Sequence, residues 1–213
     1  MIRGSAEFLR LQLADQPDLQ VSVDPILRNA EVLKTRLEHL MATVRSRAPR
    51  LSEVNVRAIL TEAAELFAKG SALRGCPVRV VTQLDDESLL MRADPGQLML
   101  VVLSLLNNAH DAFIEAERTG GSIEIRARQC EADGMSWVTI TVQDDGPGVP
   151  EPALARIFEP FFTTKEHGTG YGLYLALETM KEQRGRITVE SLPGAGACFT
   201  IWIPGSSQAA GLT

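Results

Sequence analysis

Residues 143–150 read QDDGPGVP and follow a run with strand character, SWVTITV over 136–142. Asp144 and Asp145 therefore stand where a strand gives way to a Gly-Pro-Gly turn. Glycine-rich turns after strands commonly cradle phosphate, because their backbone N–H groups can approach an anion closely. Two carboxylates at the mouth of the turn would repel that anion. The stretch thus reads either as an ordinary acidic turn or as a loop that holds something other than phosphate.

Working outward, strand-like runs predict strands at 77–84, 88–93, 186–191 and 198–204, and clear alternation predicts two more at 122–129 and 136–143. Helices are predicted over 56–70, from Asp94-Pro95 to about Ala116, and over 171–184. The second carries Asp as N-cap and Pro at its first helical position. Along it Leu98, Val101 or Val102, Leu105, Ala109 and Ala112 recur on one face. Strands grouped among three helices predict an α+β domain over residues 55–204. Its expected architecture is a two-layer α/β sandwich, one mixed sheet covered by three helices on one face. Residues 45–55 (RSRAPRLSEVN) read as a polar hinge.

Upstream, residues 1–15 predict one helix and Asp24-Pro25 opens another. On the second, Ile26, Ala30, Leu33, Leu37, Leu40 or Met41, and Val44 form a narrow apolar stripe. Residues 1–48 therefore predict an antiparallel helical hairpin. Such a hairpin cannot bury both faces alone, which predicts pairing with a second copy. The last residues, 205–213 (GSSQAAGLT), predict a disordered tail.

The 213 residues are 45% hydrophobic with a net charge of −6, which argues against nucleic acid as partner. A local site can still oppose the global charge and take an anionic small ligand. Cys76, Cys130 and Cys198 show no CxxC pair, which predicts reduced thiols and a cytoplasmic location. No run reaches the ~18 apolar residues of a membrane span, and no signal-peptide core opens the chain.

Four stretches carry chemistry: LSLLNNAHDA over 103–112, DDGPGVP over 144–150, IFEPFFTTK over 157–165 and GTGYGL over 168–173. In this order they resemble the Bergerat-type ATP-binding domain of sensor histidine kinases, part of a wider ATPase group shared with gyrase and MutL. The resemblance covers residues from about 55 to 204, and the upstream hairpin looks like the dimerisation and phosphoacceptor domain of the same kinases. It implies ATP and Mg²⁺ as cofactors, a homodimer formed through the hairpin, and relay to the receiver domain of a response regulator.

The resemblance also resolves the opening choice. In that family the aspartate before the glycines accepts a hydrogen bond from the adenine amine, and Asp144 matches it. An ionised carboxylate only accepts, so it suits the adenine amine and rejects the guanine carbonyl. Gly146 and Gly148 would let the backbone pass close to the base. Asn108 matches the metal-ligating asparagine, and Asp111 lies one turn on. Gly168, Gly170 and Gly172, with Thr169 and Leu173, match the phosphate end at a helix N-terminus, where N–H groups and the dipole favour an anion. Lys165 adds charge there. The long loop between the two glycine motifs is expected to act as a lid, with Phe158, Phe161 and Phe162 clamping it onto the core.

Two positions depart from the family pattern: Ser104 stands where asparagine is usual, and Tyr171 where leucine is usual. Serine cannot act as the base that gyrase-like relatives use, so fast ATP hydrolysis is not expected. The acceptor motif of histidine kinases, His-Glu followed by Asn-Pro or Thr-Pro, contains none of His39, His110 or His167. IRGSAEFL over 2–9 looks like the stretch about two turns after it, which places the expected acceptor just upstream of Met1. Neither the protein-kinase motif set nor a P-loop is present. The competing functional reading is an ATP-regulated binding module without phosphoryl transfer. The hairpin is testable directly: light scattering over a concentration series should show a dimer, converted to monomer by Leu33→Glu combined with Leu37→Glu.

Overall fold

The computed structural model describes residues 48–72, 76–86, 89–165 and 168–205. The chain divides into two compact units, Met1–Ala48 and Pro49–Thr213. The helical hairpin expected over 1–48 lies, apart from its last residue, outside the described residues, as does the tail beyond Gly205.

The second unit runs β1 (Ser52–Asn55), α1 (Val56–Ala72), β2 (Val78–Leu84), β3 (Leu90–Ala93), α2 (Pro95–Glu115), β4 (Gly121–Ala132) and β5 (Met135–Asp144). It continues with α3 (Glu151–Leu154), α4 (Gly172–Glu182), β6 (Arg186–Ser191) and β7 (Ala197–Pro204). Five strands form a mixed sheet in the order β2-β4-β5-β7-β6, in which only β2 and β4 pair in parallel.

The expectation of one sheet needs correction. β3 leaves the sheet and pairs antiparallel with β1, Glu53 opposite Arg92 and Val54 opposite Met91. The polar hinge read at 45–55 thus contains a strand at its end. Four residues with a single buried side chain, Val54, are too short a pattern to announce themselves without their partner.

Period-two burial sets the two layers. Ile123, Ile125 and Ala127 on β4, Val138, Ile140 and Val142 on β5, and Phe199, Ile201 and Ile203 on β7 all face one core. Alternate positions such as Arg126, Arg128, Gln143 and Glu190 remain exposed, so helices cover one face only. From α1 come Leu60, Ala63 and Phe67; from α4 come Ala176 and Met180. The central helix, α2, contributes Leu98, Val101, Val102, Leu105, Leu106, Ala109 and Phe113. Ala112, expected on this face, is half-buried, and Phe113 takes the core position instead. By length and mean hydropathy (1.2) α2 could cross a membrane, but half of that window is buried within the domain.

The start of α2 is tied down from several directions. Asp94 Oδ1 accepts from Gln97 N at 3.0 Å, and its Oδ2 from Arg50 N at 2.8 Å. Gln183, just past α4, accepts from Asp94 N at 2.8 Å and donates to the Gln97 side chain at 3.1 Å. A Cβ on Gly172 would meet Ser104 Oγ at 3.1 Å. Helices α2 and α4 therefore run antiparallel, with the start of α4 beside the middle of α2.

At the other end of α2, the fully buried Phe113 ring would lie 2.5 Å from a Cβ on Gly121 and 3.3 Å from one on Gly146. Phe113→Ala should destabilise the domain by roughly 3–5 kcal/mol, measured by chemical denaturation, because the two glycines leave nothing else to fill the space.

Candidate functional site

Asp144 is the last residue of β5 and is 6% exposed, an unusual burial for a carboxylate. Its Oδ1 accepts from Gly146 N at 2.8 Å and from Ala197 N at 3.2 Å. Both bonds converge on one oxygen, leaving Oδ2 to accept from a ligand. Burial pushes the Asp144 carboxyl above its ordinary range, the two backbone donors pull it back, and neighbouring Asp145 pushes it further up. Gly146 cannot carry a side chain, since a Cβ there would meet Asp144 Oδ1 at 2.7 Å. Gly148 adopts a left-handed φ of 75° and packs against the Leu192 carbonyl.

A second group of polar atoms gathers on α2. Lys165 Nζ donates to Asn108 Oδ1 at 2.8 Å and to the Asn108 carbonyl at 3.0 Å. It also lies 3.7 Å from Asp111 Oδ2. Burial pushes the Lys165 ammonium below its ordinary range, while Asp111, Glu115 and Asp144 pull it back up. Asn108 and Asp111 both contact Lys165, which thus lies against α2 rather than with the glycines.

The glycines of 168–172 close against their own loop. Gly170 has φ 63° and its α-carbon abuts the Phe161 and Phe162 backbone, where no side chain would fit. Gly168 packs on Thr163 in the same way. Thr169 Oγ1 accepts from Tyr171 N at 3.4 Å. No side chain caps α4, whose first turn begins at Gly172, and Leu173 packs against the core.

The expected aromatic clamp holds only in part. Phe158 meets Phe199 edge-on at 6.5 Å, and Phe162 packs on the core with Arg156 stacked over its ring at 4.4 Å. Phe161, in contrast, is 65% exposed and leans on Tyr171 at 5.6 Å. Its left-handed φ of 65° turns its side chain away from the core.

A family model described as histidine kinase-, DNA gyrase B- and HSP90-like ATPase matches residues 93–207, from the end of β3 into the tail. The chain belongs to this family. It is 32% identical over 209 residues to the signal transduction histidine-protein kinase AtoS of Escherichia coli K12, covering 97% of this chain and 32% of that protein. It is 32% identical over 212 residues to the sensory histidine kinase/phosphatase NtrB of Rhodobacter capsulatus, covering 95% of this chain and 57% of that one. The chain thus spans about a third to somewhat over half of the length of these relatives. Among solved structures, the nucleotide-free catalytic domain of histidine kinase ThkA superposes with a TM-score of 0.61 at 30% identity, covering 73% of this chain and 96% of that chain. Full-length ShkA in complex with AMPPNP gives a TM-score of 0.67 at 25% identity, covering 96% of this chain and 42% of that chain.

Pro49–Thr213 therefore carries the histidine-kinase type of ATP-binding fold, and several of its supporting contacts escaped the sequence reading. Ala197 N, a donor to Asp144, starts a strand 53 residues away. Ser191 Oγ accepts from Val149 N at 2.8 Å and donates to the Gly196 carbonyl at 2.7 Å, stitching the Gly-Pro-Gly loop to the β6–β7 turn. Asp145 Oδ1 accepts from Ser122 N at 3.0 Å, and Arg118 donates to the Asp145 carbonyl. His110 is fully buried, with Nε2 3.1 Å from the Cys76 carbonyl.

Asp144→Asn separates the fold from the site. The Asn oxygen can keep both backbone bonds, while the charge is removed. Because the folded-state pKa is raised, ionised Asp144 lowers stability at neutral pH, and that penalty fades as pH falls through the raised value. The variant should melt higher than the parent at neutral pH, by about 2–4 °C per kcal/mol relieved. The gap should shrink on acidification, as followed by thermal melts across a pH series.

Proposed function

We propose that the chain is the ATP-binding catalytic part of a sensor histidine kinase. On this reading it donates the γ-phosphoryl of ATP to a histidine, for relay to an aspartate on a response-regulator receiver domain. The observation that carries the reading is the buried Asp144 carboxylate, with one oxygen committed to two backbone donors and the other left as an acceptor. An acceptor in that setting matches the exocyclic amine of adenine and leaves the carbonyl of guanine unpaired against it. Gly146 and Gly148 bring the backbone against the base.

The phosphates would lie toward Asn108 and the uncapped start of α4, where free N–H groups favour an anion. The site fits Mg²⁺. Asn108 Oδ1 already holds a cation, the Lys165 ammonium, among oxygen atoms alone. Among the described residues no three His, Cys, Asp or Glu side chains form a metal cage. One amide oxygen plus phosphates and water is the way Mg²⁺ is usually held. The chemistry supplied by that metal is charge neutralisation on the phosphates. What the chain itself would contribute is position: Asp144 would anchor the base, Asn108 would hold the metal, and Gly168, Thr169, Gly170, Gly172 and Lys165 would form the phosphate end.

Ser104 beside Gly172 offers only a hydroxyl, so no base for water attack stands there, and transfer to a side chain is favoured over hydrolysis. The acceptor is not His110, which is fully buried; His39 and His167 lie outside the described residues and outside any His-Glu motif. Dimerisation through the hairpin and a cytoplasmic location complete the reading.

Titration calorimetry tests the base assignment. ATP should bind and GTP should not, and Asp144→Asn should weaken ATP at least about tenfold, since unpairing a buried polar group costs about 1–3 kcal/mol. Equal affinity for ATP and GTP would remove the adenine assignment. A chain lengthened to carry a His-Glu acceptor segment should take label from γ-labelled ATP. The label should be acid-labile and alkali-stable, and it should be lost in Asn108→Ala. ATP binding without labelling would favour the regulatory-module alternative.

A further inference from the structure

We propose that the oxygen atoms around Asn108 form one cation position with two successive occupants. The lid's own Lys165 ammonium holds it in the absence of nucleotide, and the metal of a metal–nucleotide complex displaces it. The inference rests on the nucleotide-site reading above and adds a coupling between lid release and metal arrival.

The geometry is that of a tethered cation. Lys165 Nζ sits within 3.0 Å of two Asn108 oxygens and 3.7 Å from Asp111 Oδ2, and all three acceptors are on α2. The lysine side chain is 17% exposed, whereas Asp111 is 49% exposed. Burying an ammonium this far requires oxygen partners, and α2 supplies them from a point 57 residues earlier in the chain.

The rest of the lid is folded to present that lysine. Lys165 N donates to Thr163 Oγ1 at 3.0 Å, fixing the local turn. Gly168 and Gly170 pack on the backbone and side chains of 161–165 with no room for a Cβ. The root of the lid is anchored by apolar contacts, through Phe158 and Phe162. Phe161, between those two rings, is 65% exposed and adds no such anchor. Beyond Phe162, Lys165 ties the lid to α2 through Asn108.

Two cations cannot share one amide oxygen closely without strong mutual repulsion. A divalent ion brought by phosphates would therefore evict the ammonium from Asn108. The freed Lys165 lies beside the incoming phosphates, whose negative charge gives it a new partner. Nucleotide without metal leaves the lysine's place uncontested.

Hydrogen exchange on the full chain without nucleotide reads the tether. Asn108→Ala and Lys165→Met should each speed exchange of lid amides between Glu159 and Gly170 by roughly tenfold or more, and the double variant should add nothing. Protection of β5 and β7 amides reports that the fold is intact, and Asn108→Asp should keep the lid protected. Unchanged lid exchange in either folded single variant overturns the proposal. Mn²⁺ binding to nucleotide-free protein, followed by electron paramagnetic resonance, reads the sharing. Lys165→Met should bind Mn²⁺ several-fold more tightly than the parent, and adding Asn108→Ala should abolish the gain. Equal Mn²⁺ affinity in parent and Lys165→Met also overturns it. ATP calorimetry separates the two ideas: a tether without ATP binding defeats the nucleotide reading alone, and ATP binding without a tether defeats this proposal alone.

Discussion

The Phe113 ring occupies space that side chains on Gly121 and Gly146 would otherwise take, and through that contact the end of α2 is seated against the Gly-Pro-Gly loop. Asn108 sits five residues earlier on the same helix, roughly 7.5 Å back along its axis. Helix geometry therefore spaces the carboxylate end of the site from the cation end, without help from any loop. The polar contacts among Asp94, Gln97 and Gln183 hold α4 against α2. They bring the start of α4 beside Ser104 and within reach of Asn108. A shift of α2 would move every part of the site at once.

Within that frame, Asp144 shows a conflict between stability and recognition. Its burial favours the protonated acid, while two backbone donors favour the ionised form. Only the ionised form is a pure acceptor, so the backbone bonds from Gly146 and Ala197 preserve the state that the proposed function needs. Those donors come from opposite sides, one from the turn that follows and one from the start of β7. The closed end of the sheet, where β5 and β7 pair, is thus a condition for the carboxylate to be useful.

The lid follows a different logic. Its root is apolar and bound to the core by Phe158 and Phe162, a contact without charge. Its far part is held by an ammonium among oxygens. An electrostatic contact of this kind is open to competition by a stronger charge, which an apolar contact is not. Using one kind of anchor at each end allows one part to stay fixed while the other responds to a ligand.

Much of this was legible in the chain itself. Strand-like runs marked all five strands of the sheet, and the Asp94-Pro95 cap marked the start of α2, because these signals are local. The four motifs pointed to Asp144, Asn108 and the glycines for the same reason. The strand at 88–93 was legible, but β1 and its pairing with β3 were not, since a four-residue strand is defined by a partner far along the chain. Nor was the exposure of Phe161, which depends on a left-handed backbone that no neighbouring residue demands. Residue type and spacing alone determined which side chains can accept, donate or leave room. Only the tertiary structure decided that Ala197 joins Gly146 on one oxygen of Asp144, and that Lys165 settles on Asn108. The pairings of Ala197 with Asp144 and of Lys165 with Asn108 join segments 53 and 57 residues apart, and only packing of the sheet and α2 brings them within hydrogen-bond range.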